Sequence, residues 1–252
     1  MNQFGKKILG IIPARFASTR YPGKPLIDIG GKTMVQRVYE RSILSKLDKV
    51  VIATDHPKIF SHAQSIGAEA ILTNENHPSG TDRCQEVVEL LSEKFDYIIN
   101  IQGDEPFIFP EQINLLIDHC NGDNELITMM LEIKSLELLQ DYGEVKIVKD
   151  YQNQALFFSR QPIPVIKNEP IDNWLNFFKY YRHVGMYGYR NDILSKISKL
   201  PPSPLELAES LEQLRWLENG YKIKLVETEQ DSFCVDTPED VEWIKEKFKE
   251  LL

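Results

Sequence analysis

Residues 11–25, IIPARFASTRYPGKP, begin as an apolar strand and break at Pro13. They cross a run of small and basic residues and end in Pro22-Gly23-Lys24-Pro25. A buried strand running into a loop that carries Ala14, Arg15, Ser18, Thr19, Arg20, Gly23 and Lys24 suits a polyphosphate. Small residues let backbone N–H groups approach, hydroxyls donate, and fixed cations offset the negative charge. The GxxxxGK[ST] spacing of a Walker A loop is absent. The competing reading is a solvated surface loop with two arginines and a lysine.

Working outward, the spacing of apolar runs predicts a strand over 7–13 and a helix capped by Thr33 and Gln36 that runs to about Lys46. Lys49–Thr54 (KVVIAT) reads as a β-branched strand, and Pro57 and Gly67 bracket a second helix. Strands over Glu69–Thr73 and Tyr97–Ile101 flank a helix from Thr81 to about Lys94. This alternation predicts an α/β fold, a mostly parallel central sheet with helices on both faces. The pattern changes near residue 121. Ile127–Lys134, Glu144–Asp150, Ala155–Arg160 and His183–Arg190 read as strands with irregular connections, including an antiparallel pair that extends the sheet or forms a dimer arm. Pro162, Pro164 and Pro170 mark an exposed excursion without regular structure. Ser203-Pro204-Leu205-Glu206 opens a helix to Gly220, with Leu207, Leu211 and Leu214 as its core stripe and Glu209, Glu212, Gln213 and Trp216 on the other side. A strand at Lys222–Glu227 and a helix from Thr237, striped by Val241, Ile244, Phe248 and Leu251, complete one domain over residues 1–252. Within it, 1–120 carries the regular strand–helix alternation, 121–220 the irregular part, and 221–252 returns to the sheet.

The chain has 252 residues and a net charge of −9, which argues against a general nucleic-acid binder. Ten Lys/Arg against three Asp/Glu in residues 1–50 give +7, leaving −9 − 7 = −16 for the rest. A basic first segment on an acidic protein is what a local anion site needs. No apolar run reaches membrane-spanning length. Cys84, Cys120 and Cys234 are too few and too scattered for a disulfide framework or zinc site, which points to reduced thiols in the cytoplasm.

In an open parallel sheet, ligands bind beyond the carboxyl ends of the strands. Three segments fall there: Arg15–Lys24, His77–Arg83 and Gln102–Asp104. His77-Pro78-Ser79-Gly80-Thr81-Asp82-Arg83 offers a Gly turn, hydroxyls and a cation before a helix N-terminus, fit for a base or a phosphate and equally for an ordinary N-cap. Asp104, after YIINI, and Asp236, after Phe233-Cys234-Val235, read as carboxylates at strand ends that suit Mg²⁺. Asp236 also makes a plain helix start.

Eight strings now stand in order: IIPARFASTRYPGKPL, ATDH, HPSGTDR, NIQGDEP, ALFFSR, HVGMYGYR, SPLELAESLEQLR and VDTPEDVE. Together they resemble the 3-deoxy-manno-octulosonate (KDO) cytidylyltransferases, or CMP-KDO synthetases, over nearly the whole chain. Residues 166–178 match none of that family's motifs. The resemblance implies a Rossmann-like nucleotidyltransferase fold, a homodimer, and transfer of CMP from CTP to KDO in the cytoplasm for lipopolysaccharide synthesis. The implied chemistry is Mg²⁺-assisted in-line attack of the sugar 2-hydroxyl on the α-phosphate. It places Arg15, Ser18 and Lys24 on the CTP phosphates, and His77, Ser79, Gly80, Arg83 and Gln102 around the nucleotide. Asp104 and Asp236 would hold Mg²⁺; with Lys24 and Arg15 they would be the catalytic set. Gln102, Arg160, His183, Tyr187, Glu212 and Gln213 would line the KDO site. The rival expectations are a cytidylyltransferase for an amino-substituted KDO analogue or sialic acid, and a non-catalytic nucleotide-binding module.

Overall fold

The computed structural model describes residues 1–17 and 21–252. Strand β1 (Ile8–Ala14) leads, by way of a 3₁₀ turn at Lys24–Leu26, to α1 (Met34–Ser42), β2 (Lys49–Thr54), α2 (Pro57–Ser65), β3 (Glu69–Leu72), α3 (Gly80–Leu90) and β4 (Tyr97–Asn100). Next come α4 (Pro110–Ile117), β5 (Leu126–Glu132), α5 (Leu136–Gln140), β6 (Lys146–Lys149), β7 (Ala155–Ser159) and α6 (Trp174–Phe177). The chain ends with β8 (Tyr181–Arg190), α7 (Asn191–Ile197), α8 (Pro204–Glu209), α9 (Glu212–Glu218), β9 (Ile223–Thr228) and α10 (Pro238–Lys247).

The sheet order is β3-β2-β1-β4-β8-β5-β9, with β6 pairing β7 and β8. β1 is parallel to β2 and β4, and β5 to β9, while β8 runs antiparallel to both β4 and β5. The mostly parallel sheet is therefore as expected, with one reversed strand inside it. β8 outruns β4, and its first residues pair with β6 on that side while still paired with β5, the antiparallel extension expected after residue 121. Along β1, Ile8 and Ile12 enter one apolar cluster, while Leu9 and Ile11 enter the cluster on the opposite face. All four are fully buried, worth about 1.5–3 kcal/mol each against exposure. That burial fixes the register of the strand whose end opens the site.

The helix starts follow local chemistry. Thr33 Oγ1 accepts the Gln36 N–H at 3.3 Å, although the Gln36 side chain turns to Glu40 rather than closing the box. Gly67, at φ 75°, ends α2 as expected. The helix after Gly80 stops at Leu90, short of Lys94.

Three expectations are corrected. The helix predicted from Ser203 to Gly220 is two helices, broken where Ser210 takes a left-handed φ of 54°. The break rotates the stripe, so Leu207 is 69% exposed while Trp216 is fully buried. Leu251 likewise lies outside the α10 core, whereas Val241 and Ile244 are buried and Phe248 stacks on Phe107 at 4.6 Å. Phe233-Cys234-Val235 is no strand: Asp236 sits on an irregular segment between β9 and α10. Helices α4 and α7 were missed by sequence reasoning, although Pro110 at the first position of α4 and Gln112 at its third are helix-start signals.

Candidate active site

The carboxyl ends of β1 and β4 and the start of α3 surround a cavity of about 450 Å³. Its lining includes Ala14, Arg15, Lys24, Ser79, Gly80, Arg83, Asn100, Gln102, Gly103, Asp104, Tyr187, Tyr189, Glu212 and Asp236. Gly103 has to be glycine, since a Cβ there would lie 2.4 Å from the Pro13 carbonyl oxygen. That close approach seats the Gln102–Asp104 turn directly on β1.

Gly23, at φ 74°, opens the 3₁₀ turn that carries Lys24, and its N–H donates to the Phe16 carbonyl at 3.0 Å. From there Lys24 Nζ reaches Asp104 Oδ2 at 2.9 Å and Asp236 Oδ1 at 3.1 Å. Burial works to lower the Lys24 pKa, but Asp104 and then Asp236 outweigh it and the net shift is upward, so the ammonium stays charged. The irregular segment is pinned by its backbone. Val235 N–H donates to the Asp104 carbonyl at 2.9 Å, and the Asp236 N–H donates to Asp240 Oδ2 at 2.9 Å. Next to Asp104, burial followed by the Asp104 charge pushes the Glu105 carboxyl up to about 8, so it adds little negative charge near neutrality.

On the opposite wall, Ser79 caps α3 by accepting the Asp82 N–H at 3.3 Å. Thr81 Oγ1 donates to Glu212 Oε2 at 2.9 Å, and burial raises the Glu212 pKa against the hydrogen bonds it accepts from Ser79 and Thr81. Asn100 Nδ2 donates to the Tyr189 hydroxyl at 3.2 Å. The Tyr187 and Tyr189 rings stack at 6.0 Å, and both stand edge-on to Trp216. Thr128 Oγ1 donates to the Met186 carbonyl at 2.8 Å and meets His183 Nε2 at 2.9 Å, and the buried Tyr187 hydroxyl has no hydrogen-bond partner among the described residues. Gln213 is buried beside Glu212, off the cavity lining, and its Nε2 has no hydrogen-bond partner among the described residues.

Most of the nucleotide-side expectations meet in this cavity: Arg15, Lys24, Ser79, Gly80, Arg83, Gln102, Asp104 and Asp236. Ser18 lies outside the described residues. His77 points away, paired with Glu86 in a separate surface hollow. On the sugar side, Tyr187 and Glu212 reach the cavity. Arg160 does not: its guanidinium donates to the carbonyls of Glu209 (2.8 Å), Tyr142 (3.0 Å) and Ser210 (3.4 Å), and so caps the end of α8. His183 also stays off the cavity wall, and burial, with Arg182 adding to it, pushes its imidazole down to about 3. Sequence reasoning missed Asn100 and Tyr189. The available signal for Asn100 was a lone amide closing the apolar strand YIIN.

Asp104 and Asp236 present only oxygen donors and converge on one cation. No group of three or more His, Cys, Asp or Glu is placed to hold a metal among the described residues. Two carboxylates fit Mg²⁺, which completes its shell with water and substrate phosphates. No helix is long and apolar enough to cross a membrane among the described residues.

Comparison with known proteins follows the geometry. Residues 9–223 match the family model described as cytidylyltransferase. The 3-deoxy-manno-octulosonate cytidylyltransferase of Parabacteroides distasonis is 48% identical over 242 residues, covering 94% of this chain and 96% of its own. That of Bacteroides thetaiotaomicron is 44% identical, covering 96% and 98%. A solved CMP:2-keto-3-deoxy-manno-octonic acid synthetase complexed with CTP superposes with a TM-score of 0.90 at 39% identity, over 98% of this chain and 100% of that one. The chain belongs to the cytidylyltransferase family, within its group of 3-deoxy-manno-octulosonate cytidylyltransferases.

Proposed function

We propose that this protein transfers CMP from CTP to KDO, releasing pyrophosphate, as its relatives' names describe. The observation that carries the reading is the meeting of Lys24, Asp104 and Asp236 where β1 and β4 end. A cation between two carboxylates beside two arginines provides both signs of charge that a nucleoside triphosphate and its counter-ion require. Asp104 and Asp236 would hold Mg²⁺, which when bound supplies charge stabilisation to the triphosphate. The sugar 2-hydroxyl attacks the α-phosphorus, its new P–O bond forms as the bond to pyrophosphate breaks, and the hydroxyl proton leaves on a carboxylate of the pair. Arg15 and Lys24 stabilise the negative charge that develops on the phosphate oxygens. The Gly80 turn lets the nucleotide approach α3, and Tyr187 and Glu212 offer hydroxyl and carboxylate to the sugar hydroxyls.

The chain then works as one domain in the cytoplasm, where its three unbridged cysteines stay reduced. Leu156, Val165, Phe177 and Phe178 are exposed apolar side chains in the 121–220 part, and they would meet a second copy in a homodimer. Light scattering on the eluted protein tests this and should give twice the chain mass.

The activity is tested by pyrophosphate release. CTP, KDO and Mg²⁺ together should give turnover, and omission of any one should stop it. A panel with an amino-substituted KDO analogue and sialic acid at fixed CTP decides the sugar. Strong preference for either alternative would displace KDO, and CTP binding without turnover on any of them would leave a nucleotide-binding module.

A further inference from the structure

Asp55 follows the last residue of β2 and is absent from the cavity lining, yet its carboxylate ties two walls of the cavity together. Oδ1 accepts the Phe16 N–H at 3.1 Å, in the loop that carries Arg15. Oδ2 accepts from Arg83 Nη2 at 3.2 Å, in the first turns of α3. Arg83 is 1% exposed and spends its other terminal nitrogen on Thr73 Oγ1, which is itself bound to the Thr54 carbonyl at 3.2 Å. His56, the next residue, stacks on the Phe16 ring at 3.9 Å and closes the joint from outside. The ends of β1, β2 and β3 and the start of α3 are thus joined through one carboxylate. Arg15 and Arg83 are close enough to repel each other, and Asp55, ahead of Glu86, offsets that repulsion and alone of the two is hydrogen-bonded to Arg83.

We propose that Asp55 is a positioning residue for the nucleotide. It sets the distance between the Arg15 loop and the first turn of α3, and hence between the donors on the two walls, without touching substrate. The proposal rests on the cavity being the CTP site. Replacement by Ala removes both contacts. Asp55→Asn is isosteric, but its amide can accept at one end only and sets a donor against either Phe16 N–H or Arg83 Nη2.

The test measures CTP affinity by calorimetry, and KM for CTP and for KDO, in wild type, Asp55→Asn and Asp55→Ala, with a thermal melt of each. Both variants should weaken CTP by about ten- to hundredfold, because small misplacements of binding groups carry penalties of that size. KM for KDO should stay within about twofold and the melts should remain cooperative, which separates positioning from general damage. Variants that fold and bind CTP like wild type, or that lose CTP and KDO equally, would overturn the proposal. So would failure of both variants to fold, which would assign Asp55 to the fold. A wild-type chain that binds no CTP removes the nucleotide reading itself, whereas wild-type binding with unchanged variants removes this proposal alone.

Discussion

The proposed nucleotide wall of the cavity and the proposed sugar wall, with the antiparallel part behind it, are built on different backbones, and side chains on them behave differently. At the ends of the parallel strands β1 and β4, the polar residues of each loop point outward to a common space, where Lys24, Asp104 and Asp236 meet. In the antiparallel part around β6, β7 and β8, the Arg and His side chains are spent on protein partners, although the Tyr187 hydroxyl of β8 is not. Arg160 caps α8, His183 bonds to Thr128, and Arg182 pairs with Glu144 and Asp231. A loop beyond a parallel strand has no neighbouring strand to bond, so its donors are left for a ligand. A residue inside an antiparallel ladder already has neighbours on both sides.

The largest effect expected from this contrast is at the carboxylates. Asp104→Ala and Asp236→Ala should each lower kcat by about a thousandfold or more with the fold kept, as measured by pyrophosphate release and circular dichroism. Near-normal turnover in Asp236→Ala would return that residue to the helix start of α10 and reduce the nucleotide wall to Asp104.

The second tests the backbone of the same wall. Gly103→Ala places a Cβ 2.4 Å from the Pro13 oxygen, where neither partner is a flexible side-chain end. The turn must move, and kcat should fall by about a hundredfold, because Asp104 moves with it. A fully active Gly103→Ala enzyme would mean that the β1–β4 contact does not set the site.

Third, the sugar wall should respond in stability rather than in substrate affinity. Arg160→Ala removes three side-chain donations to backbone carbonyls, a loss of about 1–3 kcal/mol, or about 3–8 °C in Tm. Its KM for KDO should rise by less than about tenfold, as the guanidinium is committed to α8. A much larger rise for KDO, with CTP unaffected, would break the contrast and bring Arg160 to the sugar carboxylate.

The smallest effect concerns pH. His183 falls from its ordinary 6.5 to about 3 in the folded chain. Between those values the unfolded chain binds more protons, so stability is complete above about pH 6.5 and is lost as the pH falls toward 3. Melts at about pH 7 and about pH 5 should therefore differ less in His183→Gln than in wild type. An unchanged difference would show that other groups carry the acid sensitivity.

Much of this protein was legible in its residues. β1, β2 and β4 could be placed because each is an apolar or β-branched run closed by a turn residue, and a parallel sheet buries such runs on both faces. The cavity lining followed, since ligands gather where those strands end: Arg15, Lys24, Ser79, Gly80, Arg83, Gln102 and Asp104 were all picked out from their position past a strand and line one cavity. His77 failed the same test because a residue five positions before α3's capping turn ends can pair locally, here with Glu86.

What the sequence alone determined is the order of the strands, the loops that carry chemistry and the family they resemble. Those are short-range properties, written in periodicity, capping residues and glycines. The tertiary structure decided the rest, because partners far apart in the chain settle it. Ser210 adopted a left-handed conformation and split the 203–220 helix, which exposed Leu207 and turned Glu212 toward Thr81, a partner 131 residues away. Asp236 reached Lys24 across 212 residues from a segment that is no strand at all. Arg160 was drawn to the carbonyls at the end of α8, since an exposed helix end offers acceptors that no local pattern near residue 160 could announce.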